Sequence, residues 1–165
     1  MPLYRVGLEI DGDREVVAYL IGVEEHARNA RPVFRVIGND MRRYERELFD
    51  SQGATGGRPW ASDKPATLEA KARLRATAGA SRRIRLDPRV NHATRRMRKS
   101  LIRGGPDNVR RVTRESVTHG TKVPYAKYAQ RGTRHAEARP PVVFSRAQKR
   151  EMRDKLRDWI MRGAL

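Results

Sequence analysis

The chain has 165 residues, 38% apolar and 6% aromatic, with no cysteine; that allows one domain with a modest core and excludes disulfide frameworks and thiolate metal centres. Its 37 basic side chains against 19 acidic give a net charge of +18, a field that attracts polyanions, whether nucleic acid or an acidic protein surface. The longest apolar stretch, Val16 to Val23, is under half of what a membrane span needs, and the first residues lack the basic-then-apolar pattern of a leader, so the expectation is a soluble protein, intracellular when made.

Leu3 to Ile10 alternates as a strand does, and Asp11-Gly12-Asp13 is a turn signal. From Glu15, the apolar positions Val16, Val17, Leu20, Ile21 and Ala27 suit a helix, while a β-hairpin partner for the first strand stays open for residues 14–29. Asn29 is a candidate cap, and Pro32 sits where a first-turn proline is tolerated. Val33, Ile37, Met41, Tyr44 and Leu48 then recur at spacings of 4, 4, 3 and 4, which predicts the clearest amphipathic helix, ending near Asp50. Gly53, Gly56, Gly57 and Pro59 predict a loop closed by Trp60. A second helix is expected from about Asp63–Ala66 to Ala78. Residues 79–91 lack periodicity and read as a long, mobile basic loop; a basic helix follows from about His92 to Ile102, with Met97 and Leu101 on one side.

Gly104-Gly105-Pro106-Asp107 is a strong break. Two short strands are expected near Val109–Thr113 and Ser116–Gly120, where Val and Thr fit a pleated surface, and Pro124–Arg131 reads as a short helical turn bounded by Gly132. Pro140-Pro141 stiffens the next link. Ser145 opens the last helix with Ser-x-x-Gln, a capping-box pattern, and Met152, Leu156, Trp159 and Ile160 form its inner stripe. The predicted fold is α+β, a small antiparallel sheet flanked by helices, in a single domain over 1–165.

Nothing in this pattern assembles a catalytic site. His26, His92, His119 and His135 are scattered without metal-ligand spacing, and HExxH, GxSxG and Walker-type motifs are absent. Asp11 and Asp13 around Gly12 match only a fragment of a calcium loop, and a β-turn is the better reading. Neighbouring Glu24 and Glu25 read as solvated face residues. The expectation is a protein that is no enzyme and carries no cofactor or metal.

The charge is unevenly placed. Residues 1–72 hold 11 basic and 12 acidic side chains, residues 73–114 hold 14 against 2, and residues 115–165 hold 12 against 5. Arginine supplies 30 of the 37 basic residues, so coding bias accounts for part of the excess, yet the central stretch is too lopsided to be balanced by its own ion pairs. Two uses stay open for Arg82, Arg83, Arg85, Arg95, Arg96, Arg98, Lys99 and Arg103: binding DNA phosphates, or docking acidic protein surfaces, where the guanidinium forks onto carboxylates. Docking is favoured, because residues 73–114 contain no Phe, Trp or Tyr to stack on bases.

One ordered series goes beyond composition: a helix ending Leu48-Phe49-Asp50-Ser51, a glycine-rich loop leading to Trp60, then Thr67 and Lys71. Thr94, Met97, Ser100 and Leu101 follow, then Gly120-Thr121-Lys122-Val123-Pro124-Tyr125-Ala126-Lys127-Tyr128, Gly132-Thr133 and Arg139-Pro140. This series, over roughly residues 33–160, resembles the phage virion-morphogenesis family, also called tail-completion or neck proteins, which includes the Mu G-like proteins. Arg95 stands where that family favours glycine, so a tight turn there is expected to give way to continuous helix. Gln130-Arg131-Gly132 also departs from a family pattern that often has His-Gln nearby.

The resemblance implies a structural virion protein of a long-tailed phage that completes the tail and forms a hexameric ring in the head–tail connector. It implies head-closure or connector and tail-terminator or tail-tube proteins as partners, genomic DNA in the lumen, no small-molecule substrate, and residence in the virion after assembly in host cytoplasm. The rival is a sequence-independent nucleic-acid-binding protein. Trp60, Tyr128 and Arg139 are the candidate subunit-interface residues, each with a plain alternative: a core anchor for Trp60, sheet packing for Tyr128 beside a structural Tyr125, and a stiff linker for Arg139. In the interface reading Arg139 would pair with a neighbour's carboxylate.

Overall fold

The computed structural model of the chain describes residues 13–77 and 95–163. Among these run six helices and one two-stranded sheet: α1 (Asp13–Arg28), α2 (Arg31–Asp50), α3 (Pro65–Thr77), α4 (Arg96–Ile102), β1 (Asn108–Val112), β2 (Val117–Thr121), α5 (Ala126–Arg131) and α6 (Arg146–Arg162). The strands pair antiparallel, with Arg110 opposite His119 and Val112 opposite Val117, and the fold is α+β as the sequence predicts. The expected strand Leu3–Ile10 and loop 79–91 lie outside the described residues. Residues 13–28 are helical, which closes the hairpin alternative for that segment. No helix among the described residues is long and apolar enough to cross a membrane.

α2 is the spine. Its stripe buries Val33, Ile37, Tyr44 and Leu48, with Phe49 fully enclosed at its end. Pro32 occupies the first turn, where a missing N–H leaves no bond unmade. Asn29 is not the cap: Ala30 holds that position without a side-chain bond. The Ala30 N–H instead donates to the Arg114 carbonyl at 3.0 Å, so the turn of the β1–β2 hairpin holds the start of the helix.

Two apolar clusters lie along α2. Toward its start, Ala30, Val33 and Ile37 pack against Val117 of β2 and Met152, Leu156 and Trp159 of α6. Toward its end, Leu48 and Phe49 pack against Trp60, Met97, Leu101, Ile102, Val123 and Ala126. α6 therefore runs antiparallel to α2, with Trp159 at the first cluster and Phe144, just ahead of α6, edge-on to Tyr44 at 6.3 Å. Between the clusters the two helices share charges. Lys155 donates to Asp40 at 2.6 Å and to Glu151 at 2.9 Å, and Arg43 pairs with Asp40 at 3.0 Å and Glu151 at 3.2 Å. Burial alone would lower the Lys155 ammonium, but the two carboxylates hold it above its ordinary value.

The capping box read at Ser145 is present. The Gln148 N–H donates to Ser145 Oγ at 3.2 Å, and the Ser145 N–H donates back to Gln148 Oε1 at 2.9 Å. The α6 stripe is only half-buried, because the helix lies on the outside of the pair it forms with α2.

Candidate interaction surface

α4 and the residues flanking it carry the described members of the candidate set, while Arg110, Arg111 and Arg114 of the same basic stretch lie exposed on the β1–β2 hairpin. Met97 and Leu101 point into the second cluster, and Ser100 Oγ lies 2.7 Å from Thr121 Oγ1 of β2. This fixes α4 in rotation and turns its charged residues outward. Arg95 precedes the helix at φ +55°, in the left-handed region. The expected continuous helix through that position is thus corrected: the turn is kept, and an arginine occupies it.

The basic residues divide once placed. Arg96 forks onto Asp107 through Nε and Nη2 at 2.6 and 2.8 Å, and its guanidinium holds the Asp107 carboxyl below the ordinary range. Arg98 reaches Asp50 at the end of α2, 2.9 Å away. Both charges are answered within the chain, Arg96 from inside the basic stretch and Arg98 from outside it, and the excess of that stretch remains. Lys99 and Arg103 are exposed and form no ion pair with the described residues. Arg82, Arg83 and Arg85 lie outside the described residues.

The three candidate interface residues separate as well. Trp60 is 7% exposed and stands edge-on to Phe49 at 5.2 Å, so its interface role is corrected to the core-anchor alternative. The reason is local: Gly53, at φ +93°, has no side chain, and a Cβ there would come within 2.5 Å of Trp60 Cδ1. The turn that only glycine adopts readily makes room for the ring. Arg139 donates from Nη1 to Asp63 at 2.6 Å and from Nη2 to the Ser62 carbonyl at 2.7 Å. Its carboxylate partner belongs to this chain, which corrects the pairing with a neighbour; the arginine pins the Pro140-Pro141 link to the loop after Trp60.

Tyr128 remains outside, 54% exposed, with Lys127 Nζ over its ring at 5.0 Å. Tyr125, read as structural packing, is 43% exposed, because α5 turns Ala126 and Ala129 to the core and its tyrosines away. Lys122, Lys127 and Arg131 are exposed around them. Two exposed aromatic rings among cations make this a candidate interaction surface, since tyrosine is favoured at interfaces.

Two features were not found by sequence reasoning. Glu45 and His119 meet at 2.6 Å, with side chains 0% and 1% exposed. Burial holds the Glu45 carboxyl above its ordinary range, outweighing the bond from His119. The signal was present but divided: Glu45 falls on the α2 stripe four residues after Met41, and His119 shares a strand face with Val117. The enclosed pair is sealed from any substrate, and the described residues hold no group of His, Asp or Glu arranged to bind a metal. The second feature is α1, whose Val16, Val17, Tyr19, Leu20 and Ile21 are all 49–57% exposed. Comparison with protein-family models, curated proteins and solved structures yields no match to this chain.

Proposed function

We propose that this chain is a non-enzymatic structural subunit of the neck of a long-tailed bacteriophage, completing the tail and joining it to the head as a ring through which DNA passes. One observation carries the reading. Seven residues of the ordered motif series, spread over about half the sequence, meet in one place: Leu48, Phe49, Trp60, Met97, Leu101, Val123 and Ala126 belong to the second cluster, while Thr67, Tyr125 and Tyr128 of the series stay exposed. Ser100 bonds Thr121 beside it, and Arg139 ties the link before α6 to Asp63. A series that shares one core behaves as a structural signature rather than as scattered coincidences, which supports the resemblance. The left-handed turn at Arg95 supports it too, since the family's glycine suits that backbone.

In this reading the outward charges of α4 dock acidic surfaces of the head-closure and tail-terminator proteins. The test is co-assembly of the full chain with those proteins from the genome that encodes it, by light scattering and electron microscopy. A ring, or a complex containing both neighbours, is expected. A monomer that ignores them and shifts labelled duplex DNA, its log affinity falling with log salt by about 0.9 per phosphate contacted, overturns the reading in favour of nucleic-acid binding. The informative charge reversals are Lys99→Glu and Arg103→Glu, because reversing Arg96 or Arg98 would also break bonds inside the subunit.

A further inference from the structure

Among the described residues nothing covers the apolar face of α1, and that face calls for an occupant. α1 is held at its end: His26 stacks at 5.3 Å on Trp159, whose Nε1 donates to the His26 carbonyl at 3.2 Å, and the Tyr19 hydroxyl lies 4.0 Å from Met161 Sδ. These contacts are with the last turns of α6, which lie at the start of α2. The rest of the helix presents Val16, Val17, Leu20 and Ile21 to solvent, with exposed Glu15, Glu25 and Arg14 on the same helix and Glu24 paired with Arg28 at 2.7 Å. In a chain of net charge +18, this helix has four acidic and two basic residues. It is an apolar face on a helix of net negative charge.

A matching face lies at the other end of the spine. α5 closes the cluster at the end of α2 and shows Tyr125 and Tyr128 among Lys122, Lys127 and Arg131. From Val33 to Leu48 the two clusters are separated by about 22 Å of helix. We infer that the occupant of the α1 face is the α5 tyrosine face of a second copy of this chain. Apolar residues meet aromatic rings there, and a helix of net negative charge meets a basic border. Because the two faces are different and lie at opposite ends, each contact leaves one of each face unused, and the association runs head to tail. Such a contact closes into a ring if the rotation permits and grows without limit if it does not. A two-fold pairing of α1 with α1 would instead bring two helices of like net charge together.

The inference deepens the ring reading above, and the two fail separately. Two neutral double variants suffice: Val17→Gln with Leu20→Gln on α1, and Lys127→Gln with Tyr128→Gln on α5. All four positions are exposed, and glutamine is a good helix former. Sedimentation of the full-length wild type should show assemblies larger than a dimer, and each variant alone should run as the 18.9 kDa monomer. An equimolar mixture should yield a species of twice that mass and nothing larger, since each pair then has one working α1 and one working α5. A monomeric mixture of folded variants, a variant that assembles as the wild type does, or a wild type monomeric throughout each overturns the inference. If a variant loses its helical circular dichroism, salt decides on the wild type: assembly that weakens steeply at 0.5 M salt agrees, and assembly indifferent to salt overturns the charge match. Failure to join virion proteins overturns the neck reading and leaves this contact intact; a ring built through other faces does the reverse.

Discussion

Glu45 and His119 are the sharpest test of the packing. Their side chains are 0% and 1% exposed and share one bond of 2.6 Å, while Glu45 Oε1 and His119 Nδ1 have no hydrogen-bond partner. Glu45→Ala removes that bond and leaves both imidazole nitrogens buried without partners. An unsatisfied buried polar group costs about 1–3 kcal/mol, and removing one member of a buried pair costs about 3–5 kcal/mol in all. In a domain of this size, about 2–4 °C of melting temperature accompanies each kcal/mol, so the variant should melt roughly 6–20 °C lower. Replacing both groups by apolar ones of similar volume, Glu45→Leu with His119→Phe, should recover most of the loss, because nothing polar is then left buried. Urea unfolding followed by tryptophan fluorescence supplies the four corners of the cycle, with Trp60 in one cluster and Trp159 in the other. A double variant as unstable as the sum of the two singles would refute the reasoning, since independent sites add and coupled ones do not.

Three further outcomes are expected. Burial holds the Glu45 carboxyl above its ordinary 4.5; a folded-state value raised above the unfolded one contributes stability that is full below about 4.5 and is lost as pH rises through the folded value. Wild type should therefore lose stability relative to Glu45→Gln as pH rises from 4.5 toward neutrality, and parallel urea curves at those pH values would contradict it. Gly53→Ala combines a positive φ with a Cβ 2.5 Å from Trp60 Cδ1; it should cost more than about 1 kcal/mol and red-shift the fluorescence of a Trp60 pushed toward water. Ser145→Ala removes the capping box of α6 and should cost about 1 kcal/mol, seen as a fall of about 2–4 °C in thermal unfolding.

Sequence and structure agree where the deciding interactions are local. The stripe from Val33 to Leu48 repeats over four turns, the Ser145–Gln148 box spans three residues, and the hairpin is bounded by β-branched positions. They part where the partner is distant. Arg139 and Trp60 belong to types enriched at interfaces, and whether either faces a neighbour depends on Asp63, 76 residues from Arg139, and on Phe49 with the glycine beneath the indole. Periodicity recorded that α1 has an apolar face; it holds no record of what covers that face, since the same spacing serves a core and an interface. Arg95 shows the opposite limit. Its neighbours carry enough helical pattern to predict continuity, yet the backbone turns left-handed at Arg95 and α4 begins only at Arg96.

The placed charges also bear on what the excess is for. Arg96, Arg98 and Arg139 are answered by Asp107, Asp50 and Asp63, and Lys155 and Arg43 by Asp40 and Glu151. Those pairs consume as many acids as bases and leave the net +18 untouched. Self-association has the same property: an α1–α5 contact rearranges charge between copies without changing the sum, and six copies would carry about +108. At physiological ionic strength the Debye length is about 8 Å, so local acidic-to-basic contacts can hold copies together while the total stays uncompensated. The subunit contact and the charge excess therefore require different explanations. The first needs only a matched pair of faces. The second is what the proposed polyanionic partner would answer, and Lys99 and Arg103, exposed at a helix whose rotation is fixed by the core, are among the described cations placed to meet one.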